Sequence, residues 1–473
     1  MKKIAIVLSC SVVMLASCKK DFLDTAPQSG TFTGDQARDL SNSSPASAYK
    51  LQDATVKGIY AFMRSWNTVG AGAHDDFAQK SIDMATDLMT EDMVQTAHHH
   101  MGFDYLHDNR EETYRRTRMI WNYYYKIIFN ANNLIAQVPA DATDANLKAV
   151  RGQALSLRAF SYHNLVRLYQ KRYKGNESAL GVPLYTEPTQ EGKSRNTVSE
   201  VYTQIVADLN EAVTLLQGWA RPSKEQINQS VANGILARVH MDMENYAAAE
   251  TAANAARQGY SLMSAAQYQE GFSDIANPEW MWGQVVTSQT TTIFASFFSQ
   301  IDNTSPGYAG ALAIYKSIDK KLYEQIGATD IRKKVFNDPD RTVYPSLPAY
   351  AQLKFRDPGS FTGDYIFMRV AEMYLIEAEA QARQGKDAEA QQTLFDLISR
   401  RDPSYVKSSA TGQALIDEIF LHKRIEMWGE GTTFFDLKRM NLGIDRNNSN
   451  HRSDATIVVP AGGGKWTDKI PLL

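Results

Sequence analysis

The sequence predicts a mostly α-helical protein: a helical-repeat superhelix interrupted by an inserted loop-rich, irregular subdomain. Three observations predict it. Apolar residues recur at helical spacing through most of the body, an alanine-rich hairpin pattern occurs twice, and the stretch between the two copies is aromatic, Thr-rich and Pro-spaced. Recurrence at i, i+3, i+4 and i+7 marks one face of an α-helix. A pattern that repeats marks units that bury their faces on one another.

The first element in chain order is an address. Met1-Lys2-Lys3 precedes the apolar run Ile4–Val7, which continues through Val12, Val13, Met14 and Leu15 to Ala16-Ser17-Cys18. A basic start, a short apolar stretch and a small-residue cleavage site make a secretory signal. The stretch is shorter than the about 20 residues a membrane-spanning helix needs. Leu15-Ala16-Ser17-Cys18 resembles the bacterial lipobox, so residues 1–17 read as signal and Cys18 as the lipidated new N-terminus, which places a membrane beside the protein. Cys10 leaves with the signal, and of the 2 cysteines none then remains for a disulfide or a Cys metal site. Residues 18–46, rich in Ser, Thr, Gly and Asp, read as a flexible leader, and 47–473 as the body. A net charge of −3 offers no basic field for nucleic acid, which is not expected as a partner.

Within the body, 147–169 carries the stripe Val150, Ala154, Leu157, Leu165 and Leu168. Its Gly152, Ala154 and Ala159 would let a neighbouring helix approach closely. The next helix spans 197–216, opened by a Thr197-x-x-Glu200 capping box and striped by Val198, Val201, Ile205, Leu209, Ala212, Val213 and Leu216. Ala237, Asn245, Ala249, Ala253 and Ala256 then have the spacing of Ala378, Lys386, Ala390, Leu394 and Leu397. Each set reads as a helix, a tight turn and a second helix, the logic of tetratricopeptide repeats; the alternative is two unrelated hairpins with Ala-rich packing. Residues 271–365 lie between the copies. They hold Trp280-Met281-Trp282, a strand-like piece with both tryptophans structural, then Thr290-Thr291-Thr292 and the Pro-spaced run Tyr344–Pro348.

Ordered motifs add a resemblance. Cys18-Lys19-Lys20-Asp21-Phe22-Leu23-Asp24 is followed by Trp121, Tyr124, Ile128, Asn130 and Asn133. Next come Arg151–Ala154 with Leu157–Phe160 and Tyr162, then Gly181–Leu184. Tyr365–Ala380 looks like a characteristic helix, and Lys423–Glu426, Gly429–Gly431 and Phe434–Arg439 close the series. In this order they resemble the SusD/RagB family of nutrient-binding outer-membrane lipoproteins, with departures at Thr433 and Phe434. The resemblance implies a helical body on tetratricopeptide-like hairpins. It also implies a SusC-like TonB-dependent outer-membrane barrel as partner, and capture of an oligosaccharide or polysaccharide at the cell surface, with the protein lipid-anchored in the outer membrane.

Sugars present flat C–H faces and many hydroxyls, so their sites need exposed aromatic platforms beside polar groups. Two stretches offer these. One carries Trp66, Asn67, Phe103 and Tyr105, and the other Phe294, Phe297, Asn303 and Tyr308. Family members tend to use aromatics from loops in these regions. Packing is the default for any single aromatic. His98-His99-His100 reads as a solvated loop and not a metal site, because adjacent histidines point in different directions. Glycoside hydrolysis needs two carboxyls about 5–10 Å apart across a cleft. Glu426 and Glu430 lie among Lys423, Arg424 and Arg439 instead, and read as a buried ion-pair network. No nucleophile–base pattern, phosphate loop or metal cluster stands out, so neither catalytic residues nor a cofactor are expected. The alternatives to glycan capture are a lipid-anchored glycoside hydrolase and a protein-interaction scaffold without a small ligand.

Overall fold

The structure, a computed structural model, describes residues 39–40, 43–108, 110–357 and 360–472. Cys18 and the signal lie outside the described residues. The chain divides into two compact units, one ending at Ala54 and one spanning Thr55–Leu473. In the shorter unit the described residues are largely helical and include the first turns of α1 (Pro45–Phe62), which begins inside the stretch read as a polar leader.

The larger unit is built on helical hairpins. After α2 (Ala78–Leu88), α3 (Arg115–Gln137) packs on α4 (Ala145–Tyr169), and α4 on α5 (Val198–Leu215). The chain continues with α6 (Gln229–Asp242) and α7 (Tyr246–Arg257), which pack together, and α7 lies against α8 (Val370–Ala382). α9 (Asp387–Ile398) and α10 (Gly412–Glu426) both pack on α8, and α11 (Thr433–Arg439) meets α2. Local chemistry sets the starts. The Asp144 carboxylate accepts from the Asn146 and Leu147 amides to cap α4. Thr197 and Glu200 form the expected reciprocal capping box on α5. α4 is buried almost all round because α3 and α5 take opposite sides of it. Gly152 makes that closeness possible, since a Cβ there would stand 2.8 Å from Leu216 Cγ.

The repeated pattern is a repeated structure. In α6–α7 the turn residue Glu244 has φ 57°, and in α8–α9 Gly385 has φ 74°. The Asn245 amide donates to the His240 carbonyl at 2.9 Å, and the Lys386 amide to the Gln381 carbonyl at 3.1 Å. The two hairpins stack directly through α7 and α8, so everything from 258 to 369 is looped out between consecutive units.

That insert is irregular but well packed. Three antiparallel two-stranded ladders occur among the described residues: β1 (Met93–Gln95) with β3 (Lys316–Ile318), β2 (Trp280–Gln284) with β4 (Tyr365–Arg369), and β5 (Ile444–Asp445) with β6 (Val458–Val459). β4 corrects the reading of Tyr365–Ala380 as one helix. Its first five residues pair with β2, and the helix starts only at Val370. Trp280 and Trp282 are both fully buried. Phe77, Leu88, Trp280, Phe297, Phe355 and Trp428 share one apolar core, and α8, α9 and α10 enclose another around Leu375, Leu394 and Ile419. Among the described residues no helix is long and apolar enough to cross a membrane.

Candidate functional site

The loop after α1 is tied at its base and open at its tip. Asn67 adopts φ 55°, its side-chain oxygen accepts from the Gly72 amide at 2.6 Å, and its own amide donates to the Asp76 carbonyl at 2.9 Å. The Asp76 carboxylate accepts from the Thr68 hydroxyl at 2.8 Å. Asp75, next along, is clamped by Arg115 and Arg116 at the start of α3, at 2.6 and 3.2 Å. Burial pushes its carboxyl up, but the two guanidiniums outweigh this and hold it below the usual range. The fixed base leaves Trp66 and His74 projecting.

Around His74 the structure gathers a ring from its own loop and rings from two distant segments. Phe294 stacks on it at 6.1 Å with planes 9° apart, Trp66 meets it edge-on at 6.3 Å, and Tyr308 lies 5.8 Å away. The Tyr308 hydroxyl and His74 Nδ1 share a hydrogen bond of 2.6 Å. The 98–100 loop joins them: His99 is 4.6 Å and His100 5.5 Å from the Tyr308 ring, and His98 meets Phe103 edge-on at 5.3 Å. Trp66, Phe103 and Phe294 stand 40, 50 and 49 % exposed, and rings exposed together as a patch mark an interaction surface. Burial, then the neighbouring His100, pulls His99 down to about 4. Burial also lowers His100, with Asp75 opposing.

Of the eight residues singled out from sequence, Trp66, Phe103, Phe294 and Tyr308 meet in or beside this cluster, and Asn67 holds its loop. Three do not reach the surface. Tyr105 is fully buried: its hydroxyl bonds His451 Nδ1 at 2.6 Å and Arg446 lies 4.5 Å from its ring centre, with burial raising the phenol to about 12. Phe297 is core, edge-on to Phe298 and Phe355. Asn303 is also buried. Its amide donates to the Lys316 and Gln352 carbonyls and accepts from the Lys316 amide, so it satisfies a backbone crossing. Sequence reasoning missed His74. It sits between Trp66 and Asp75 in a stretch already marked, but its partner Tyr308 is 234 residues away. The triple histidine, read only as a solvated loop, belongs to the same patch. Among the described residues no group of three or more His, Cys, Asp or Glu is disposed to hold a metal.

Glu426 and Glu430 are buried in ion pairs, with different partners from those expected. Glu426 accepts from Arg369 at 2.6 Å, Arg401 at 3.0 Å and Arg332 at 3.4 Å; Glu430 accepts from Lys354 at 2.6 Å and Arg369 at 2.8 Å. Lys423 instead pairs with Asp436, Arg424 with Glu91 and Asp92, and Arg439 with Glu379 and Asp436.

Comparison with known proteins adds independent findings. Residues 41–241 match the profile of a family described as "Starch-binding associating with outer membrane", and residues 345–459 match that of the SusD family. The chain is similar to SusD-like protein P38 of Formosa agariphila, 23% identical over 393 residues that cover 69% of this chain and 72% of the relative. Among solved structures it is similar to a SusD-like carbohydrate binding protein from Bacteroides vulgatus, with TM-score 0.78 and 25% identity, covering 89% of this chain and 94% of that one. It is also similar to a laminarin binding SusD-like protein, with TM-score 0.68 and 19% identity, covering 89% and 96%.

Proposed function

Because this chain belongs to the SusD/RagB family, we propose that it is a carbohydrate-binding protein that captures a glycan on the exposed rings around His74. The observation that carries the reading is the cluster itself: Trp66, Phe294 and Tyr308 come from three separate segments, project from a rigid base, and pair apolar faces with imidazole and phenol groups. Such surfaces match the alternation of C–H faces and hydroxyls on a sugar chain. A family described as starch-binding and a relative described as laminarin binding support the same ligand class. Affinity electrophoresis against a glycan panel tests it. Trp66→Ala or Tyr308→Ala should weaken the retarding glycan roughly tenfold; unchanged retardation would sink the site.

The proposal extends to capture without cleavage. Glu426, one of the two carboxylates weighed for hydrolysis, is held ionised among three arginines and has no proton to donate. It extends also to location and partner. Residues 1–17 act as a lipoprotein signal and Cys18 carries the lipid, so that the protein faces outward from the outer membrane, with 18–46 as leader and 47–473 as body. The captured glycan passes to a SusC-like TonB-dependent barrel. Cys18→Ser should shift the protein from the membrane to the soluble fraction while its glycan retardation stays intact. A variant still in the membrane fraction would overturn the anchor.

A further inference from the structure

Resting on the carbohydrate-binding reading above, we propose that the glycan taken by the His74 cluster is anionic, bearing carboxylate or sulfate groups. The polar groups the cluster offers are imidazoles, one phenol and the Trp66 indole N–H. The carboxylates nearest to them are already committed. Asp75 is bound by Arg115 and Arg116, Asp104 by Arg116, Asp76 by Thr68, and Asp454, close to His98, by Arg452. A neutral sugar exchanges hydroxyl protons with acceptors as well as donors. Here the buried carboxylates that would repel an anion, Asp75 and Asp104, are each held by arginine, and an imidazole becomes a double donor once it takes a proton.

The layer beneath holds a buried cation. Lys316 is fully buried, and among the described residues its ammonium finds only the Ile314 carbonyl, at 3.1 Å, with no carboxylate in reach. Gln95, directly opposite it in the β1–β3 ladder, has both ends of its amide buried without a partner, and His99 Nδ1 is likewise unpartnered. A buried cation without a counter-charge is costly, and an anion held just above it lowers that cost. Phe103 also continues into a groove of about 960 Å³ with Tyr114 as its second exposed ring, where Lys469 pairs with Glu111 at 2.6 Å and Lys465 and Asp108 line the wall.

Proton linkage gives the proposal a distinct signature. His99 faces His98, His100, Lys316 and Asp75, and His100 faces His74, Asp75, Arg115 and Arg116; burial keeps both imidazoles neutral near neutral pH. An anion docked against them favours their charged forms, so binding takes up protons and strengthens as pH falls. Calorimetric titration in buffers of different ionisation enthalpy reads this directly. The probes are polygalacturonate for carboxylate, carrageenan for sulfate ester, and laminarin and soluble starch as neutral glucans. The expected result is binding of at least one acidic polymer, with proton uptake and about tenfold loss at high salt. The double variant His98→Ala/His100→Ala, at two exposed positions, should melt like the parent and take up fewer protons with a weaker salt dependence, His99 remaining. Salt-independent, Trp66-dependent binding of a neutral glucan without proton uptake overturns this proposal and leaves the carbohydrate reading standing. Failure of both acidic polymers overturns this proposal, and failure of the whole glycan panel overturns the carbohydrate reading.

Discussion

Lys316 is the residue whose environment departs furthest from its chemistry. It lies fully buried in β3, and burial alone pulls its ammonium down to about 7 from an ordinary 10.5. Between those two values the unfolded chain holds a proton that the folded chain has released. Folding stability from this group therefore rises with pH across that window, and below pH 7 the folded state bears the whole cost of a buried charge. Lys316→Met should accordingly be more stable than the parent at pH 7. The gap should close by at most about 1.4 kcal/mol per pH unit on the way to pH 10. Urea melts of both proteins across that range check it, and a gap that stays constant with pH would show that Lys316 does not titrate as its burial dictates. The same residue marks what single positions hide in sequence. Lys316 reads as a surface lysine until Asn303 and Gln95, from elsewhere in the chain, are placed around it. Tyr105 and Phe297 fail as ligand contacts for the same reason. Their chemistry suits a platform, but inward direction is set by His451 and Phe355, contacts that no local pattern records.

At the scale of elements, legibility followed the range of the forces. The 197–216 helix was readable because its capping box and apolar stripe are both local, and its observed span is Val198–Leu215. The paired hairpins were readable because each unit obeys the same rule at the same spacing, down to a left-handed residue at Glu244 and at Gly385. Glu244 shows that this geometry is imposed by the hairpin, since a side chain is held where glycine is favoured, at a cost of about 1–2 kcal/mol. Tyr365–Arg369 was misread because its pairing partner is 80-odd residues upstream, with register shifts on either side of Trp282. Helical continuity looked better locally, and the non-local ladder won. The binding surface lies between these cases. Both stretches that form it were marked by their aromatics, whereas its centre, His74, depends on rings from three segments converging.

For the unit Thr55–Leu473, the insert and the helices around it are joined by charge as well as by apolar packing. The carboxylates Glu279, Asp330, Glu426 and Glu430 meet the cations Arg332, Lys354, Arg369 and Arg401, and the set balances in charge while nearly every member is excluded from water. Glu279, Arg332, Lys354 and Arg369 come from the insert; Arg401, Glu426 and Glu430 come from the α9–α11 region. Arg401 bridges the two groups, donating to Glu279 at 2.8 Å and to Glu426 at 3.0 Å. Burial raises the Glu426 carboxyl, but Arg401, Arg369 and Arg332 outweigh it and depress it far below 4.5. Its stabilising share is thus present above about pH 4.5 and is lost as pH falls towards the depressed folded value. Arg401→Met keeps most of the volume and removes one positive charge, leaving Glu279 and Glu426 under-compensated in a dry interior. Such a break costs about 3–5 kcal/mol, well beyond an exposed pair. The variant should unfold in urea at a lower midpoint, and its acid unfolding should move to higher pH, because Glu426 no longer resists protonation as strongly. The insert and helices should still melt together, since Arg369 and Arg332 continue to join them through Glu426. A loss under about 1 kcal/mol would mean that the network is not a structural tie, and two separated transitions would mean that Arg401 alone coupled the two regions.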